Sequence, residues 1–136
     1  MATMLPVLVG ATPAAAAVNT ASGNGSLTFI TYQGDGITCP LQDQASHDTS
    51  ANTAFARGVS LGEPRCIESN VLVTVTITYK DENGLTHTSR SRGDDIVELS
   101  VDHAKSNIRT TVTATYLACD QSASATCEQT ITANPK

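Results

Sequence analysis

From Val71 to Tyr79 apolar and polar residues alternate: Val71, Val73, Val75, Ile77 and Tyr79 fall on one parity, and Thr74, Thr76 and Thr78 follow Leu72 on the other. Period two over such a run predicts a half-buried β-strand with one apolar face and one hydroxyl face. Asp81-Glu82-Asn83-Gly84 then supplies a hairpin turn, because Asn-Gly accepts positive φ. Leu85 to Arg90 is the expected returning strand. Ile96 to Val101 repeats the alternation with Val97, Leu99 and Val101 on one face. Ile108 to Leu117 does so again, with Ile108, Thr110, Val112, Ala114 and Tyr116 inward and Arg109, Thr111, Thr113 and Thr115 outward. Leu27 to Tyr32, closed by Gly34-Asp35-Gly36, is an expected first strand, and Thr126 to Thr132 a weaker last one. Pro40 to Ser50 has no periodicity and reads as a loop. Ser50 to Arg57 reads as two turns of helix, with Thr49 or Ser50 as N-cap and Gly58 beyond its end. Many short strands without a long 3.6-residue period predict an all-β fold, a small antiparallel β-sandwich of immunoglobulin-like type.

The N-terminal pattern differs. Met4 to Val9 is a short apolar run, and Ala14 to Ala17 follow as small residues before a polar stretch. An apolar segment ending in an Ala-x-Ala site is how a secretory signal peptide ends, although Met1-Ala2-Thr3 lacks the usual basic residue. The run is too short to span a bilayer and is broken by Gly10 and Pro13. The expected organisation is therefore a signal peptide over 1–17, a flexible linker over 18–26, where Asn19 to Ser26 is small and polar, and a β-sandwich domain over 27–136.

Composition supports the strand reading. Thr is very common, the apolar content comes from Val, Ile, Leu and Ala, Trp is absent, and the aromatics are Phe29, Phe55, Tyr32, Tyr79 and Tyr116. The formal charge of −5 makes the chain a poor candidate for nucleic acid or for an anionic membrane, whose binding needs clustered Lys and Arg. Export would place Cys39, Cys66, Cys119 and Cys127 in an oxidising compartment, where an even count implies disulfides. Four cysteines allow three pairings, and joining nearest neighbours gives Cys39–Cys66 and Cys119–Cys127.

Catalytic and metal chemistry find little purchase. His47, His87 and His103 have Asp43, Asp48 and Asp102 nearby in sequence, but no nucleophile motif accompanies them. His-x-x-x-His and Cys-x-x-Cys spacings are absent. Asp94-Asp95 beside Gly93, and Asp35 between two glycines, read as turn chemistry rather than calcium ligands. Arg92-Gly93-Asp94 matches an adhesion tripeptide, a pattern short enough to arise by chance. Its setting, Ser89 to Asp95, is the densest charged stretch and reads as a contact loop. The hydroxyl rows Thr74-Thr76-Thr78 and Thr111-Thr113-Thr115 suit a solvated sheet face or a binding face.

Two resemblances follow from particular residues. Cys66 to Asp81, and Ala114 to Cys119, resemble cysteine-bearing strands of the tendamistat-type α-amylase inhibitors of streptomycetes, which are secreted two-disulfide β-sandwiches. The inhibitors' Trp-Arg-Tyr contact motif has no counterpart, since Pro40 to Arg65 contains neither Trp nor Tyr. The resemblance thus implies a tendamistat-like fold and not the inhibitory residues. In its Ala-rich leader, size, cysteines and the stretch before Leu27, the chain also is similar to adaptor subunits of actinobacterial umbrella-type toxin particles, which tether a lectin to a stalk. The expected function is a secreted, non-catalytic module that binds other secreted proteins, with Leu27, Phe29, Ile30 and Tyr32 as a partner-pairing strand and Arg90, Arg92 and Asp94 as a contact loop. No cofactor, catalytic residue, metal ligand or small-molecule ligand is expected. Inhibition of a hydrolase such as α-amylase is the alternative, and a carbohydrate-binding module the next.

Overall fold

Residues that alternate in sequence alternate in space. The computed structural model describes residues 18–31, 33–60, 66, 71–119 and 127–136. They form eight strands: β1 (Val18–Ile30), β2 (Gly36–Asp48), β3 (Thr53–Ser60), β4 (Val71–Lys80), β5 (Thr86–Gly93), β6 (Ile96–Val101), β7 (Ser106–Tyr116) and β8 (Glu128–Ala133). Two antiparallel sheets result, one ordered β1-β2-β3-β6 and the other β5-β4-β7-β8. They pack face to face as a small β-sandwich.

The core lies between the sheets. Val73, Val75 and Ile77 of β4 and Val112 and Ala114 of β7 are fully buried and face Leu27, Phe29, Ile37, Leu41 and Ala56 of the first sheet. The Phe29 and Tyr116 rings stack at 4.1 Å between centroids, tying β1 to β7. Cys39–Cys66 and Cys119–Cys127 are both bonded, with Cα–Cα distances of 5.8 and 5.7 Å, so nearest-neighbour pairing holds. The β4–β5 hairpin is built as its residues dictate. Asp81 Oδ1 accepts from the backbone N–H groups of Asn83 and Leu85 at 2.8 and 3.0 Å, and Gly84 takes φ 79°.

Three expectations are corrected. Val18 to Ser26 is not a linker but most of β1, paired residue by residue with β2 from Val18–Asp48 to Ser26–Pro40. Its glycines serve contact rather than flexibility. A Cβ on Gly23 would strike the Thr132 carbonyl oxygen of β8, so only glycine lets the two sheets' edges approach so closely there. Pro40 to Ser50 is not a loop, since β2 runs through it with Leu41, Asp43, Ala45 and His47 turned inward. Ser50 to Arg57 is not helical. Asp48 Oδ1 accepts from the N–H groups of Ser50 and Ala51 at 3.0 and 3.1 Å, closing a turn. Asn52 then adopts φ 52° and β3 begins. The segment 1–17 and Tyr32 lie outside the described residues.

Candidate functional site

Burial divides the residues expected to bind a partner. Leu27 and Phe29 are each 1% exposed and belong to the core, which corrects their assignment to an interface. Their parity on β1 turns them toward the second sheet, and a partner could reach them only by opening the sandwich. Ile30 ends β1 and is 40% exposed. Arg90 and Arg92 are exposed on β5, and Asp94 is exposed in the turn before β6.

Register then builds a surface around the two arginines. Arg90 lies opposite Thr76, Arg92 opposite Thr74, and Arg109 of β7 opposite Thr78 on the other side of β4. Beyond β4, Thr76 neighbours Thr111, which neighbours Thr132. Thr74 neighbours Thr113, which neighbours Thr130. Alternation puts all of these on the outer face, because their sequence neighbours Val73, Val75, Ile77, Val112 and Ile131 are buried. Hydroxyls pair across the strands, Thr113 with Thr130 at 2.8 Å and Thr78 with Thr88 at 3.4 Å. Among the described residues Arg90, Arg92 and Arg109 make no ion pair. Glu128 on the far edge strand adds a carboxylate to this face, where it accepts from Thr115 Oγ1 at 3.3 Å. An acidic chain thus presents a cationic, hydroxyl-rich sheet face. Arg109 is legible in the sequence as outward-facing, but nothing in the linear order joins it to Arg90 and Arg92; the β4–β7 register does.

The three histidines gather toward the opposite use, holding loops in place. His47 is buried, and its Nε2 and Nδ1 lie 2.8 and 3.1 Å from the carbonyl oxygens of Ala104 and Lys136. The ring is a strut between the β6–β7 connection and the segment after β8. His87 pairs with Asp81 at 2.7 Å, and the bond to His87 and the N–H groups of Leu85 and Asn83 hold the Asp81 carboxyl below its ordinary value. His103, at φ 60°, reaches Glu82 at 3.2 Å. Glu82 is likewise held low, by its own N–H and by His103. Hydroxyl and N–H bonds from Ser50 and Ala51 lower Asp48. Among the described residues no histidine is hydrogen-bonded to a serine, threonine or cysteine nucleophile. Among the same residues no group of three or more His, Cys, Asp or Glu side chains is placed to hold a metal ion.

One buried group stands apart. Asp43, on β2, is fully buried between the sheets, and burial pushes its carboxyl up to about 6 against the pull of the Thr110 hydroxyl. Thr110 Oγ1 lies 2.7 Å from Asp43 Oδ2 and 3.0 Å from the Ala133 carbonyl oxygen. One hydroxyl proton cannot fully serve two acceptors. A neutral Asp43 resolves the conflict, since its O–H donates to Thr110, whose own proton then goes to Ala133. Asp43 Oδ1 has no hydrogen-bond partner among the described residues.

Comparison with known proteins finds no family model, no curated protein and no solved structure that matches this chain.

Proposed function

We propose that this is a secreted, non-catalytic protein-binding module that uses the Arg90–Arg92–Arg109 face of the second sheet to hold an acidic partner, as an adaptor within an extracellular assembly. The observation that carries the reading is that face itself. Three guanidiniums, without an ion pair among the described residues, surround the Thr74-Thr76-Thr78 column on a net acidic chain. Like-charged side chains brought together repel one another, and an anionic partner removes that repulsion while accepting forked hydrogen bonds. The threonine rows suit the same task. They offer hydroxyls that donate or accept, on a rigid sheet that loses little entropy on binding. The two disulfides and the leader-like sequence over 1–17 support export.

The test is capture from culture medium with the tagged chain, comparing wild type with Arg90→Glu/Arg92→Glu. Wild type should retain stoichiometric partners at low salt and lose them progressively as salt rises. The double variant should retain none, with an unchanged far-ultraviolet circular dichroism spectrum. Equal recovery of the same partners by the folded variant would refute the assignment of this face.

A further inference from the structure

The first sheet carries a groove of different chemistry on its own outer face. Phe55 of β3 is half-buried there, flanked in register by Ser46 of β2 and Ser100 of β6, with Thr20 of β1 beyond Ser46. The next row runs Ser22, Gln44, Arg57 and Glu98. Between these rows lies an open cavity of ≈ 480 Å³ walled by Phe55, Gln44, Thr20, Ser22 and Ser46. Ala21 and Ala45 complete its floor. Small residues on β1 and β2 keep that floor low, so the Phe55 ring stands as a wall beside it. The volume falls in the range of small-molecule sites, roughly 300–1,000 Å³.

The lining selects a ligand class. No ionisable side chain lines the cavity among the described residues. An anion or cation would therefore be desolvated without a partner, which is costly. A wholly apolar ligand would strand three hydroxyls and an amide. A pyranose ring satisfies both demands, having an apolar C–H face and a rim of hydroxyls that each donate and accept. The C–H face packs on an aromatic plane, and the rim needs groups that also donate and accept, as Ser, Thr and Gln do. Gln44 Nε2 donates to Gln42 Oε1 at 3.2 Å, which orients the amide. Past Gln44, Arg57 and Glu98 extend the row with a donor and an acceptor. Their Nε and Oε2 stand 3.9 Å apart, beyond a hydrogen bond.

We infer that the Phe55 groove is a binding site for a neutral saccharide of about two sugar units, with Phe55 stacking on one ring and Gln44, Ser22, Ser46 and Thr20 meeting its hydroxyls. The site is separate from the arginine face, which lies on the opposite sheet.

Titration of the ¹⁵N-labelled chain with cellobiose, N,N′-diacetylchitobiose and maltose, each to millimolar concentration, tests this. At least one should give saturable shifts centred on residues 20–22, 44–46 and 55. Phe55→Ala should weaken that binding about tenfold or more. Phe55→Trp should preserve it. Gln44→Arg, which fills the groove without touching the core, should abolish it should Phe55→Ala fail to fold. Arg90→Glu/Arg92→Glu should leave it unchanged. Absence of saturable shifts with all three sugars overturns the proposal. So does binding that survives both Phe55→Ala and Gln44→Arg, or shifts centred elsewhere on the chain.

Discussion

Asp43→Asn should stabilise this protein at neutral pH and remove a pH dependence that wild type carries. In the unfolded chain Asp43 titrates near its ordinary value of 3.8, and in the folded chain near 6. Between these values the native state binds more protons than the unfolded state, so stability falls as pH rises through the window. The contribution is fully present below about pH 4 and fully lost above about pH 6. At ~1.4 kcal/mol per pH unit, the rise from 3.8 to about 6 is worth about 3 kcal/mol. Asparagine is neutral throughout, and its amide N–H can donate to Thr110 as the neutral Asp43 O–H does, leaving the Thr110 proton for Ala133. The asparagine carbonyl oxygen would take the place of Oδ1, exchanging one unpartnered oxygen for another. That exchange costs the same at every pH and drops out of the comparison. So do the exposed carboxylates Asp48, Asp81 and Glu82, whose lowered values make stability fall toward acid in both proteins alike. The assay is guanidinium unfolding of both proteins from about pH 4 to 7.5. The stability difference, variant minus wild type, should grow by about 2–3 kcal/mol across that range, equivalent to roughly 10 °C in Tm. A difference that stays flat would mean that Asp43 is ionised in both states, and the account of its burial would be wrong.

Two other perturbations test how the sandwich is closed. Removing Cys39–Cys66 as a pair of alanines should cost about 3.5 kcal/mol, and removing Cys119–Cys127 about 2.5 kcal/mol, because the first closes the longer loop. Denaturant titration ranks the two, and a larger loss from the shorter loop would contradict the chain-entropy account. Gly23→Ala should lower stability by about 1–3 kcal/mol, since its Cβ meets the Thr132 backbone and not a side chain that can turn away. Thermal unfolding of this variant would refute the close approach of β1 and β8 if its Tm equalled that of wild type.

The strands that hydrophobic pattern announces and those it conceals differ in one respect. On β4 and β7 the inward residues are mostly Val, Ile and Tyr, and alternation makes them plain. On β2 the inward series includes Asp43 and His47, which break the apolar pattern, so the strand reads as a loop. On β3 the inward residues are Ala54, Ala56 and Gly58, and on β1 they include Ala21, Gly23 and Gly25. Small residues there reflect how closely the sheets approach. A Cβ at Gly58 would lie 2.6 Å from a Val75 methyl. In sequence such residues look like helix or linker, because hydrophobicity records what a residue brings to the core and not how little room it is given.

That asymmetry decides which surface the sequence reveals. Where parity is readable, on β4 and β7, alternation turns the threonines and Arg109 outward, and the β4–β7 register then joins them on one face. Arg90 and Arg92 need only the hairpin to join them. Where parity is hidden, Phe55 falls in a stretch that reads as helix and has no face at all. Once Ala54 and Ala56 point inward, Phe55 must point out, and its cross-strand neighbours Ser46 and Ser100 make the ring the one large side chain of its row. The same parity that puts Leu27 and Phe29 in the core puts Thr20 and Ser22 on the groove. The two proposed surfaces lie on outer faces of different sheets, so the ~10 Å between packed sheets separates them. They can be occupied together, and charge reversal on one has no steric route to the other. An adaptor requires that geometry: two chemically distinct faces on one rigid body, one suited to an acidic protein and the other to a neutral sugar.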